Sequence, residues 1–125
     1  MASPSSVSFE VAVDEQTVEK LKGVVLWLDL VTGDTIDTGT AERAILRTDG
    51  LAMDVAGSFG TYSILLKRVG EMRFAGSWTC RTAKGEEKGH ADCTLRPEGD
   101  YFRLTGEWDR GKYDWFARLE KVAGF

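Results

Sequence analysis

The sequence predicts an all-β fold, a single small antiparallel up-and-down barrel of eight to nine strands, with a two-sheet β-sandwich as the alternative. Three observations carry that expectation. Apolar and polar residues alternate with a period of two over most of the chain, as half-buried strands require. Glycine-bearing turn sequences separate the alternating runs at short intervals. Six phenylalanines, four tryptophans and three tyrosines stand beside fourteen glycines and only two prolines, a mixture that suits curved strands and tight turns.

Taken in order, the elements begin after a short leader, residues 1–6, with no basic or strongly apolar stretch of the kind that directs export. Residues 7–125 are expected to form one barrel domain. Val7, Phe9, Val11 and Val13 alternate with Ser8 and Glu10 and predict a first strand over 6–14. Asp14 to Lys22 is the one helical candidate: Asp14 can cap a turn whose Val18 and Leu21 face inward, although a plain loop fits equally well. Strands follow over 23–32, 35–47 (with a break foreseen at Gly39), 51–58, 60–68, 71–82, 88–96, 100–109 and 112–122. Their connectors are Thr32-Gly33-Asp34, Thr48-Asp49-Gly50, Val69-Gly70-Glu71, Ala83-Lys84-Gly85-Glu86-Glu87, Pro97-Glu98-Gly99-Asp100 and Arg110-Gly111-Lys112. A meander this long must curl or close to bury its apolar side.

In the C-terminal half the alternation names an inner face. Phe74, Gly76, Trp78 and Cys80 share one side of their strand, and so do Phe102, Leu104, Gly106 and Trp108. Tyr113, Trp115, Ala117 and Leu119 do the same in the last strand. In 23–32 both parities are apolar. Leu26, Leu28 and Leu30 are read as inward, which leaves Val25, Trp27 and Val31 as an outer stripe, either covered by a segment such as 14–22 or, the favoured reading, a candidate interface for a second copy.

A short pattern recurs in Val55-Ala56-Gly57-Ser58-Phe59, Phe74-Ala75-Gly76-Ser77-Trp78 and Leu104-Thr105-Gly106-Glu107-Trp108. Each reads apolar, small, glycine, polar, aromatic. A strand glycine makes room for a bend or a bulky neighbour, and the aromatic two residues on is expected to fold over it. Between Val55 and Leu119 this pattern resembles the strands of avidin-type barrels and, more loosely, the Gly-x-Trp of lipocalins. Both belong to the calycin-like group, so the resemblance implies a barrel that holds a small molecule in its open end. The lipocalin motif sits on the first strand, whereas these copies fall late, and the polar biotin contacts of avidins do not map onto this chain.

Composition narrows the function classes. Sixteen basic against twenty acidic residues give a net charge of −4, which argues against nucleic acid or an anionic membrane as partner, since both need a concentrated positive field. No apolar run reaches the roughly 18–20 residues of a membrane helix. With no export signal and two cysteines, the expected location is cytoplasmic.

Motifs of catalysis are scarce. His90, the single histidine, is read as facing outward with Asp92. A hairpin centred between Glu86 and Glu87 pairs Cys80 with Cys93 on the inner face. That leaves open two reduced buried thiols, a disulfide, or a zinc site with His90. Glu107 and Asp109 are read as an outer carboxylate ladder against Arg118 or Arg103. No phosphate loop, dinucleotide fingerprint or metalloprotease motif occurs, and no metal or cofactor is expected.

The leading expectation is therefore non-enzymatic binding of a small, mostly apolar molecule in the barrel interior. Tyr62, Phe74, Trp78, Phe102, Trp108, Tyr113 and Trp115 are the candidate ligand-binding residues. A solid barrel serving as an assembly module and a barrel isomerase or cyclase are the alternatives.

Overall fold

The computed structural model describes residues 19–123. Within them the fold is a closed barrel of eight antiparallel strands in simple sequence order. The strands are β1 (Glu19–Asp29), β2 (Thr35–Leu46), β3 (Gly50–Gly57), β4 (Thr61–Gly70), β5 (Arg73–Thr82), β6 (Gly85–Glu98), β7 (Tyr101–Trp108) and β8 (Tyr113–Lys121). The leader and the strand expected over 6–14 lie outside the described residues. Glu19 to Lys22, the end of the helical candidate, is strand: these residues open β1.

Eight strands close at a radius that side chains alone can fill. The inner side chains sort by height. At the end formed by the β2–β3, β4–β5 and β6–β7 turns, Leu21, Leu46, Leu51, Leu66, Phe74, Leu95, Phe102 and Leu119 pack together, each buried. At the other end the lining is aromatic: Trp27, Tyr62, Trp78, Trp108 and Tyr113. Trp115, fully buried, lies between the two layers and touches Trp108 edge-on at 5.1 Å.

The inner face expected for β5, β7 and β8 is the one observed. In β1 the parity is the reverse of the expected one. Val25 (0 % exposed) and Trp27 (4 %) are inside, while Val24 is 63 % and Leu30 52 % exposed. The outer stripe of Val25, Trp27 and Val31 therefore does not exist, and Val31 is exposed beside Leu30 on the β1–β2 turn. Closure explains the reversal. The β1–β8 seam sets Trp27 opposite Trp115 and Val25 opposite Ala117, and β8 already has its Trp115 face inside.

β2 runs unbroken through Gly39. Its irregularity lies further on, where the pairing with β3 shifts between Ala41 and Arg43. Glu42 and Arg43 both point outward there, so the inner set switches from Asp37, Gly39 and Ala41 to Ala44 and Leu46. A bulge of this kind lets two consecutive charged residues stay in water while the strand bends.

The β5–β6 hairpin is tighter than expected. Thr82 pairs with Gly85 across a two-residue turn, Ala83-Lys84. The Thr82 hydroxyl accepts the Lys84 N–H at 3.2 Å and reaches the Gly85 carbonyl at 3.1 Å. Cys80 consequently faces Glu87 and Cys93 faces Phe74. The two cysteines are free and buried, which removes the expected cysteine pairing. His90 lies opposite Ser77, on the outer parity.

The strand glycines make room for neighbours on other strands, and not for the aromatic two residues further on. A Cβ on Gly106 would collide with the Asp92 carbonyl, lie 2.7 Å from Cys93 Cα and sit 2.8 Å from the indole nitrogen of Trp115. Over this gap Trp115 Nε1 donates to the Asp92 carbonyl at 2.8 Å. Gly89 likewise leaves the space taken by the Trp78 ring. Phe59, the aromatic of the first pattern copy, is 64 % exposed on the β3–β4 turn.

Gly106→Ala is expected to cost about 1–3 kcal/mol, the usual penalty for overpacking a rigid site. A urea denaturation midpoint that falls with an unchanged slope checks this.

Candidate binding site at the open end

The β1–β2, β3–β4, β5–β6 and β7–β8 turns surround one end of the barrel, and a pocket of about 590 Å³ opens there. Its volume falls in the roughly 300–1,000 Å³ range of small-molecule sites. Trp27, Tyr62, Trp78, Trp108 and Tyr113 line it together with Cys80 and Asp37, while Ile36, Phe59, Lys84, Glu87, Asp109 and Lys112 form its edge.

The rings support one another. Trp78 and Trp108 stack at 5.0 Å and 14°, and Trp27 meets Trp108 edge-on at 5.5 Å. Tyr62 contacts Trp27, Trp78 and Trp108 at 5.0–5.8 Å. Offset and edge-on contacts of this kind hold aromatic side chains in fixed orientations. The floor of the pocket is therefore a rigid apolar plate.

Its polar groups are few and differ in how they are satisfied. Trp78 Nε1 donates to Asp109 Oδ1 at 3.2 Å. Asp109 was expected on the outer face; instead it follows the end of β7 with φ +55° and turns its carboxylate over the pocket. Arg110 and Gly111 continue the left-handed path at +58° and +88°. Two successive non-glycine residues there store strain at the rim. The expected ladder partners are absent as well. Register sets Glu107 between Asp92 and Asp114, and it sets Arg103 beside Arg118.

Asp37 is buried, 7 % exposed. Its carboxylate accepts the backbone N–H of Thr38 at 2.8 Å and that of Ser58 at 3.2–3.3 Å. Trp27, its cross-strand partner, carries a buried indole N–H with no hydrogen-bond partner among the described residues. A buried donor left unmade costs about 1–3 kcal/mol, so this atom stands out beside its satisfied counterparts in Trp78 and Trp115.

Burial pushes the Tyr62 phenol up to about 12, with the nearby Cys80 and Asp37 adding to the shift. Burial also raises the Cys80 thiol, and it raises Cys93, away from the pocket, to about 12. Neither cysteine is a thiolate near neutrality, so neither has the form that attacks electrophiles. The pocket lining includes no histidine, and no cluster of three or more metal-ligating side chains occurs among the described residues.

Of the seven candidate ligand-binding residues, Tyr62, Trp78, Trp108 and Tyr113 line this pocket. Trp115 lies beneath its floor, and Phe74 and Phe102 belong to the closed end. Asp37, Trp27, Asp109, Phe59 and Cys80 join the lining without having been singled out for it. The chain matches no protein-family model, and neither a curated protein nor a solved structure shows significant similarity to it.

Tyr62 and Cys93 hold their protons longer in the folded state than in the unfolded chain. Between the ordinary values of 9.0 and 10.0 and about 12 the native state binds more protons, so stability falls as pH rises. Their contribution is complete below pH 9. Denaturation midpoints that decline from pH 9 to 12, with a tyrosinate absorbance step near pH 12 that Tyr62→Phe removes, check this sign.

Proposed function

We propose that the protein binds a small, mostly apolar molecule at the open end of its barrel, in the manner of calycin-like carriers, without acting on it chemically. The observation that carries the reading is the unpartnered indole N–H of Trp27 within a rigid aromatic lining. An apolar plate offers area to a hydrophobic body. The indole N–H of Trp27 lies just beneath that plate, and a small turn of the ring toward the cavity would bring it to a carbonyl, ether or hydroxyl oxygen on the same molecule. Most ligand pockets combine these features: many apolar walls and a few placed polar groups.

The strained rim and the apolar edge of Ile36 and Phe59, 44 % and 64 % exposed, add support, because strain and exposed apolar area collect at binding sites. A solid assembly module is less favoured. The outward apolar residues Val24, Leu65 and Val69 are separate side chains on the wall, and two of the three residues expected to make the contact, Val25 and Trp27, are inside.

Nile red, a neutral apolar dye with a carbonyl acceptor, tests the reading. The expected result is saturable one-to-one binding with quenching of tryptophan emission. Tyr62→Ala is expected to weaken it about tenfold, roughly 1.4 kcal/mol, while Leu65→Ala on the outer wall leaves it unchanged. Absence of saturable binding, or equal loss with both variants, contradicts the proposal.

A further inference from the structure

We infer that the molecule held at the open end is an organic cation, an ammonium group carried on an apolar body. This rests on the binding reading above and assigns the charge of its ligand.

Asp37 is the first reason. Its carboxylate is buried in the aromatic end of the barrel and receives only backbone N–H groups. Among the described residues no lysine or arginine forms an ion pair with it. Buried charges in proteins are ordinarily paired, because desolvation of a carboxylate is expensive and amide dipoles offset only part of it. No ion pair among the described residues supplies a counter-charge, and the pocket is an open route by which a bound cation reaches the carboxylate.

Geometry is the second. A Cβ on Gly57 would lie 2.9 Å from Asp37 Oδ2 and 3.1 Å from Tyr62 Cε1. One bare backbone position therefore borders both the carboxylate and the edge of the aromatic plate. The rings of Tyr62, Trp27, Trp78 and Trp108 surround the same space, and the faces of such rings attract cations. The protein's own Lys112 already sits over the ring of Tyr113, its Nζ 5.9 Å from the centroid.

The charge of the lining points the same way: three carboxylates, Asp37, Glu87 and Asp109, against two lysines. Both lysines are exposed on the far turns, β5–β6 and β7–β8. They bias the mouth and form no ion pair with the buried carboxylate.

Phenyltrimethylammonium and its neutral isostere tert-butylbenzene, titrated against the full chain by tryptophan fluorescence, separate charge from shape. Benzoate serves as the anionic counterpart. The expected result is that the cation binds about tenfold or more tightly than the isostere, with benzoate weakest. Asp37→Asn, which keeps an oxygen to accept from Ser58 and Thr38, is expected to erase that preference, bringing the cation and the isostere to equal affinity. The wild-type comparison decides the question even if the variant does not fold. Equal or tighter binding of the isostere, or preference for benzoate, overturns the inference while Nile red binding still upholds the pocket. If Nile red also fails to bind, both readings fall.

Discussion

Closure of β1 against β8 is the constraint on which the rest of the structure depends. β1 is apolar on both faces, so its own sequence allows either orientation. The seam settles the matter by placing Trp27 beside Trp115 and Val25 beside Ala117. A large side chain meets a large one near the mouth, and a medium one meets a small one in the middle of the barrel. Once Trp27 is inside, its cross-strand neighbour Asp37 is inside too. The aromatic plate, the orphan donor and the buried carboxylate all follow from that one choice.

The barrel divides stability from recognition along its axis. Leucines and phenylalanines at the closed end form an all-apolar plug with no polar atoms to satisfy, the kind of packing that contributes most per residue. The open end holds the costly features together: a buried carboxylate, an unmade hydrogen bond of about 1–3 kcal/mol and a turn with two left-handed non-glycine residues. Natural sequences break local rules chiefly where function requires it. The concentration of such departures around one pocket distinguishes this end from the turn holding Met72, where a single positive φ stands alone.

How much of this was legible in the sequence varies with the physical signal available. Strand period and turn chemistry specified the closed all-β barrel, and strict alternation after Met72 separated inside from outside in β5, β7 and β8. Alternation carried no information in β1, where apolar residues occupy both parities. The bulge at Glu42-Arg43 shifts parity within β2, which local pattern alone does not reveal. The β5–β6 register depended on Thr82 closing a two-residue turn, whereas Gly85-Glu86-Glu87 reads equally well as loop. Asp109 looked like an ordinary outward strand residue because its left-handed backbone is imposed by the turn after it. Asp37 had a faint signal, since it shares parity with Gly39 and Ala41. Four pocket aromatics were thus foreseeable, and the polar groups that give the pocket its character were not.

Indole N–H resonances in a ¹⁵N-correlated NMR spectrum report which tryptophan donor a bound molecule engages. Trp115, bonded to the Asp92 carbonyl, and Trp27, without an acceptor among the described residues, are assigned by single Trp→Phe variants. The account predicts that Trp27 Nε1–H is protected from solvent exchange yet resonates as a free donor, and that it alone shifts strongly downfield when a ligand with an oxygen acceptor saturates the pocket. A Trp27 signal that exchanges rapidly with water, or that stays fixed while Trp115 moves, would contradict it.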